Sequence, residues 1–322
     1  MRSYYELKRK RTYDHPAVFI WIIVVCLLCR VAGYYTSTDF PFPRLFPDRL
    51  YAYVAGILLM VGGGYLLYRL NYALVLIREK TFLPFLLFVL LSSTNPDFLS
   101  LKASSVVFFC MLLAVYQLFI SHHNTSSTAN AFKSALLIAA GSLLWVHVLW
   151  FIPLFWIGMY NFRCLAPKTF MGSVLGLMVV YWFVLGWAVW KMDFSVFTIP
   201  FDTLLSFDFT HLKGNWTGRI SLIYTVLLAV IAYVNVRTHE HEDSLRSRQF
   251  LSFLMLFLIW ALILSGIYGN YSGEFIYLSS MSASVLYAHL FTSRRNRYTF
   301  RLFLFTIVLY PALCFLQLWS IL

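Results

Sequence analysis

Long apolar runs separated by short polar connections recur along the whole chain of 322 residues. A helix needs roughly 20 apolar residues to cross about 30 Å of hydrocarbon. Eleven runs approach that length, at 17–35, 50–77, 82–98, 103–121, 131–146, 148–162, 169–190, 219–236, 250–268, 275–292 and 301–320. The pattern predicts an all-α fold, a polytopic transmembrane helix bundle of about 11 spans that forms a single integral membrane domain over 1–322. Only His147 separates the fifth and sixth runs, so these form either two short helices or one bent, re-entrant pair. The second and third read as a hairpin, turning at Arg78-Glu79-Lys80 and ending at Asn95-Pro96-Asp97. Pro96 lacks a backbone donor and biases Asn95 away from helical geometry, so the third helix should stop there. Gly62, Gly63 and Gly64, like Ala131, Ala135 and Ala139 on the fifth run, permit close helix packing.

The cations orient this bundle. If each run crosses once from a cytoplasmic N-terminus, most of the 25 lysines and arginines fall inside, including Lys8 to Arg11, Arg78, Lys80, Arg163, Lys168, Arg237 and Arg294 to Arg297. The net charge of +12 is therefore a topology signal facing anionic lipid and not a nucleic-acid footprint. The first run is too long for the core of a signal peptide and is expected to be retained. Apart from Asp97 at the outer end of the third run, no Asp or Glu falls within a predicted span, which demotes ion-coupled transport, since such carriers commonly keep a carboxylate at mid-membrane depth.

Composition agrees. The chain is 61% hydrophobic and 12% charged, against about 25% charged for a soluble domain. The five cysteines lie in or beside apolar runs and read as small buried hydrophobes; Cys26-Leu27-Leu28-Cys29 lacks a second ligand pair. His239-Glu240-His241 reads as a solvated connector. His147 and His289 are expected to be hydrogen-bonded groups between helices. No P-loop, dinucleotide fingerprint or nucleophile elbow is present, and no cofactor or metal is expected.

The remaining candidates are charged. Arg30 and Arg69 lie within spans, where each can snorkel to an interface or turn inward to hold an anion such as a phosphate. Arg30 is the better placed, near an outer loop over 36–49 that carries Asp39, Arg44 and Arg49; Asp97 marks the outer end of the third run. A second outer loop, 191–218, alternates acids with aromatics and predicts amphipathic turns, with Phe201, Phe207 and Trp216 suited to a sugar or prenyl groove.

Asp39, the first acid after the first span, resembles the base of GT-C-type glycosyltransferases, membrane enzymes that use polyprenyl-phosphate-linked sugars. That resemblance covers one loop, which lacks the second adjacent acid frequent in the family. It implies that Asp39 is the catalytic base and that Arg44 or Arg49 holds the donor phosphate; Arg30 and Asp97 are the further substrate-binding candidates read from the residues themselves. Across more of the chain, Thr81-Phe82-Leu83-Pro84, Asn95-Pro96-Asp97 and Asn130-Ala131-Phe132 with Arg163 resemble a family of multi-pass inner-membrane proteins of Bacteroidota with unassigned function. The resemblances imply a bacterial inner-membrane enzyme of envelope glycan or lipid assembly, with membrane lipid and a polyprenyl-phosphate-linked substrate as partners. A non-catalytic scaffold of an envelope complex and a lipid or solute transporter are the other expected classes.

An odd number of spans that obeys the positive-inside bias places Leu322 outside. A C-terminal reporter should therefore be active only on the external side. Activity confined to the cytoplasm would refute this topology.

Overall fold

The computed structural model describes residues 16–36, 49–77, 81–94, 98, 102–206, 216–238, 244–293 and 297–319. Among them are twelve α-helices and no strand. In chain order these are α1 (Pro16–Thr36), α2 (Arg49–Leu74), α3 (Leu83–Ser93), α4 (Ala103–Ile120), α5 (Thr128–Ser142), α6 (Ile152–Asn161) and α7 (Pro167–Lys191), followed by α8 (Ser195–Leu205), α9 (Trp216–Thr238), α10 (Leu245–Ile267), α11 (Ser272–Ser293) and α12 (Arg297–Trp319). Short 3-10 turns at Val146–Phe151 and Gly269–Tyr271 precede α6 and α11.

Each of the eleven apolar runs carries a helix, but only seven helices among the described residues are long and apolar enough to cross a membrane. These seven, α1, α2, α4, α7, α9, α10 and α12, mark a membrane-embedded protein. The shortfall has physical causes. At 1.5 Å per residue the 15 residues of α5 reach only about 22 Å, short of the hydrocarbon thickness. The 11 residues of α3 reach less. Beyond α5 the chain breaks at Leu143 to Trp145, where Trp145 is extended, and restarts as a 3-10 turn running into α6, with Pro153 in the first turn of that helix. The fifth and sixth runs are thus two short helical pieces. α11 has the length but carries Ser279, Ser280, Ser282 and Ser284, all buried, which lower its hydropathy. Each of these serine hydroxyls donates to a carbonyl three residues back in its own helix, at 2.6–2.9 Å.

By its contacts the chain divides into two compact units. The first comprises residues 1–102, 212–258 and 276–322. In it α3 packs against α1 and α2, and α12 against α1 and α9. A Cβ on Gly64 would stand 2.9 Å from the Phe85 ring, so this glycine lets α2 and α3 approach, as its place in the triplet predicts. Hydroxyls join the other helices, with Tyr224 to Thr306 and Thr225 to Tyr310 both at 2.9 Å, while Tyr287 donates to the Thr225 carbonyl at 2.7 Å. At the end of α2, Val75 takes a left-handed φ of 50°, a conformation unusual for a β-branched residue. Two bonds hold it: the Asn71 side chain accepts the Ile77 N–H, and Ser247 donates to the Val75 carbonyl. The expected turn at Arg78 to Lys80 and the break at Asn95-Pro96-Asp97 lie outside the described residues, although α3 does end at Ser93, just ahead of the latter.

The second unit comprises residues 103–211 and 259–275. Its most extensive contact joins α5 to α7. A Cβ on Gly172 would meet the Thr128 methyl at 2.7 Å, and one on Gly176 the Phe132 carbonyl oxygen at 2.5 Å. Because 128 opposes 172 and 132 opposes 176, the two helices run in the same direction, and the 3-10 turn with α6 makes the return. The N-terminus of α7 is set by Thr169, whose hydroxyl accepts the Ala166 N–H at 2.7 Å and donates to the Cys164 carbonyl at 2.9 Å.

Gly176→Ala should destabilise the protein by about 1–3 kcal/mol, because the methyl meets backbone and cannot be accommodated by a side-chain rotation. Gly186→Ala, on the same helix with nothing within 4 Å, should be neutral or slightly stabilising. Thermal unfolding in detergent compares the two, and equal behaviour would contradict the packing described.

Candidate functional site

Of the charged residues singled out by sequence, Arg30 and Arg69 have described side chains. Asp39, Arg44 and Asp97 lie outside the described residues, and Arg49 opens α2 with its side chain outside them. Arg30 does not snorkel. It is buried, and its Nη2 donates to the Met60 sulfur at 3.0 Å and, more weakly, to the Ser92 carbonyl at 3.4 Å. Tyr53 donates to the Arg30 backbone carbonyl. Arg30 thus ties α1 to α2 and α3 within the first unit. Arg69 is exposed, as a snorkelling side chain would be. Cys29 packs against Cys314, and all five cysteines are free.

A concave site lies in the second unit. Past Gly176, α7 presents bulky side chains, and a groove of about 590 Å³ forms between it, the end of α5 and α8. Its walls are Ala140, Leu143 and Val146, then Val180, Phe183, Val184 and Trp187, then Phe197, Pro200 and Phe201. The volume is that of a small-molecule pocket. One polar feature interrupts these walls, a hydroxyl pair between Ser142 and Tyr181 at 2.7 Å, with Ser142 also donating to the Ala139 carbonyl at 2.6 Å. Phe201 is therefore where the loop over 191–218 was expected to supply a groove aromatic, and the predicted amphipathic turns are α8. Phe207 lies outside the described residues, and so does the side chain of Trp216. Hydrogen bonds from the Ser195 hydroxyl and backbone N–H hold the exposed Asp193 carboxyl below its usual range and fix the start of α8.

An aromatic cluster supports α8 from the other side. Trp150 Nε1 donates to the Tyr268 hydroxyl at 2.7 Å, which donates to the Leu204 carbonyl at 2.5 Å. Trp260 Nε1 donates to the Trp150 carbonyl at 2.8 Å. Within the cluster sits His147, 1% exposed, its ring 4.4 Å from Tyr271, 4.8 Å from Tyr268 and 5.6 Å from Trp145 between centroids. The expected hydrogen bond of His147 between helices is at most a loose approach of the Thr203 backbone in α8. Neither ring nitrogen has a partner, and the same holds for Trp145 Nε1, 7% exposed. The Thr203 backbone faces the imidazole without closing a hydrogen bond to it. The break after α5 turns His147 into a wall of rings, where the Thr203 backbone of α8 is the polar group that faces it. Sequence reading passed over Ser142, Tyr181 and Trp145. The spacing Gly172-x-x-x-Gly176 was a legible sign that α7 packs closely on a neighbour.

Tyr268→Phe should lower stability by about 1–3 kcal/mol, because it strands the Trp150 indole and the Leu204 carbonyl, and should raise protease sensitivity at α8. Unchanged melting and cleavage would show that this relay does not hold α8. No protein-family model, curated protein or solved structure matches the chain.

Proposed function

We propose that this protein is a multi-pass protein of a bacterial inner membrane that works on a long-chain envelope lipid, seating the chain in the groove between α5, α7 and α8. The groove carries this reading. Its walls are mostly aliphatic and aromatic carbon, so a chain of methylene or isoprenyl units gains contact there and strands few polar groups. The substrate class that fits is a polyprenyl-phosphate-linked glycan or lipid, as the resemblance of the Asp39 loop to GT-C-type enzymes implies. On the orientation expected from the cationic connections, the end of α5, the last turns of α7 and α8 belong to the outer half of the bilayer, the side on which Asp39, Arg44 and Arg49 are expected. Asp39 is then the base, and the arginines neutralise the lipid phosphate.

Mass spectrometry of lipid copurifying with the protein tests this. Wild type should retain a defined prenyl- or acyl-chain lipid, and Val184→Trp, which fills the groove, should lose it while remaining folded. Asp39→Asn should retain the lipid but stop its turnover. Equal, unselective lipid on wild type and Val184→Trp would sink the groove reading. Turnover that survives Asp39→Asn would move the protein from enzyme to carrier or scaffold.

A further inference from the structure

Two of the residues that line the groove carry hydroxyls, Ser142 on α5 and Tyr181 on α7. Their protons can be assigned in order. Ser142 has one, and it goes to the Ala139 carbonyl at 2.6 Å. The 2.7 Å bond between the two hydroxyls then runs from Tyr181 to Ser142. Both protons are committed inside the protein, so the Tyr181 oxygen has only its capacity to accept left for an occupant. The ring stands 5.6 Å from Phe201 and 6.4 Å from Phe197 between centroids, which sets it in the wall between α7 and α8. Ser142 is buried, whereas Tyr181 is half-buried and keeps surface open to the groove it lines.

Depth narrows the chemistry of the occupant. Tyr181 lies ten residues before Lys191, the end of α7, or about 15 Å along the axis at 1.5 Å per residue. Lys191 stands over the Trp187 ring at 5.4 Å, a cation and an indole of the kind that settle at a membrane interface. Tyr181 therefore meets the chain of a seated lipid and not its headgroup. The group that donates to it is neutral, because among the described residues that line the groove none is acidic and able to pair a cation. On a hydrocarbon chain such a donor is a hydroxyl. A carbonyl at the same place would set lone pair against lone pair. We infer that the Ser142–Tyr181 pair is a selectivity point that accepts a hydrogen bond from a hydroxyl borne along the chain of the bound lipid. This rests on the proposed function and narrows its substrate class to a hydroxylated chain. Tyr181 makes the contact, and Ser142 positions it by holding its proton.

The experiment offers the full-length protein in nanodiscs three photoreactive phospholipids that differ only at the middle of one chain, in a hydroxyl, a ketone or a plain methylene. Labelling of groove peptides is measured by mass spectrometry. On wild type the hydroxyl probe should label about tenfold more strongly than the methylene probe, the factor that one well-placed buried hydrogen bond supplies. The ketone probe should label no more than the methylene probe. Tyr181→Phe keeps the ring and removes the acceptor, so labelling by the hydroxyl probe should fall to the methylene level while the other two stay as they were. Ser142→Ala frees the Tyr181 proton, so labelling by the ketone probe should rise above the methylene level. A pair that serves packing alone would leave the order of the probes unchanged in both variants. Equal labelling by all three probes on wild type would overturn the selectivity point and leave the groove standing. So would a hydroxyl preference that survives Tyr181→Phe, or no gain for the ketone in Ser142→Ala. Absence of labelling by any probe would overturn both the selectivity point and the groove reading.

Discussion

The close approach of α5 and α7 is the constraint on which the second unit depends. Lipid tails are as apolar as leucine, so burial alone gives two spanning helices little reason to associate. What remains is contact at short range, and Gly172 and Gly176 provide it by letting α7 lie on the backbone of Thr128 and Phe132. No other residue type fits, because a single methyl at 176 would stand 2.5 Å from a carbonyl oxygen. The parallel course of the two helices forces the intervening chain to return within a short distance. The return is made by a 3-10 turn and the ten residues of α6, which is why this region is too short to cross the bilayer twice in ordinary spans.

The groove follows from that contact. Once past Gly176, α7 carries Val180, Tyr181, Phe183 and Val184, and these side chains hold the end of α5 away while Ser142 and Tyr181 bond across the gap. α8 closes the third side. It is kept in place by the Trp150–Tyr268–Leu204 relay, which spends the polar ends of its aromatics on each other and on backbone.

Much of this was legible from apolar run length alone, because a helix in lipid must satisfy its own backbone and so announces itself as a long uncharged stretch. Every run found that way carries a helix, and the amphipathic turns over 191–218 are present as α8 with Phe201 in the groove. The break within 131–162 was legible at His147, but the number of long apolar spans was not, because α3, α5 and α6 stop short of the runs that announced them and the buried serines lower the hydropathy of α11. Inward against snorkelling placement of Arg30 was not legible either. It depends on Met60 and Ser92, 30 and 62 residues away in the chain. Nor was the setting of His147 legible, since a histidine in an apolar run gives no hint of whether its neighbours are carbonyls or rings.

We propose that the groove between α5, α7 and α8 holds a lipid chain. A cryo-electron microscopy map of the protein in nanodiscs of its native lipids tests it directly. Continuous elongated density should run along Val180, Val184 and Phe201 and end beside Val146. A groove closed by repacked side chains, or one filled by the protein's own chain, would contradict it.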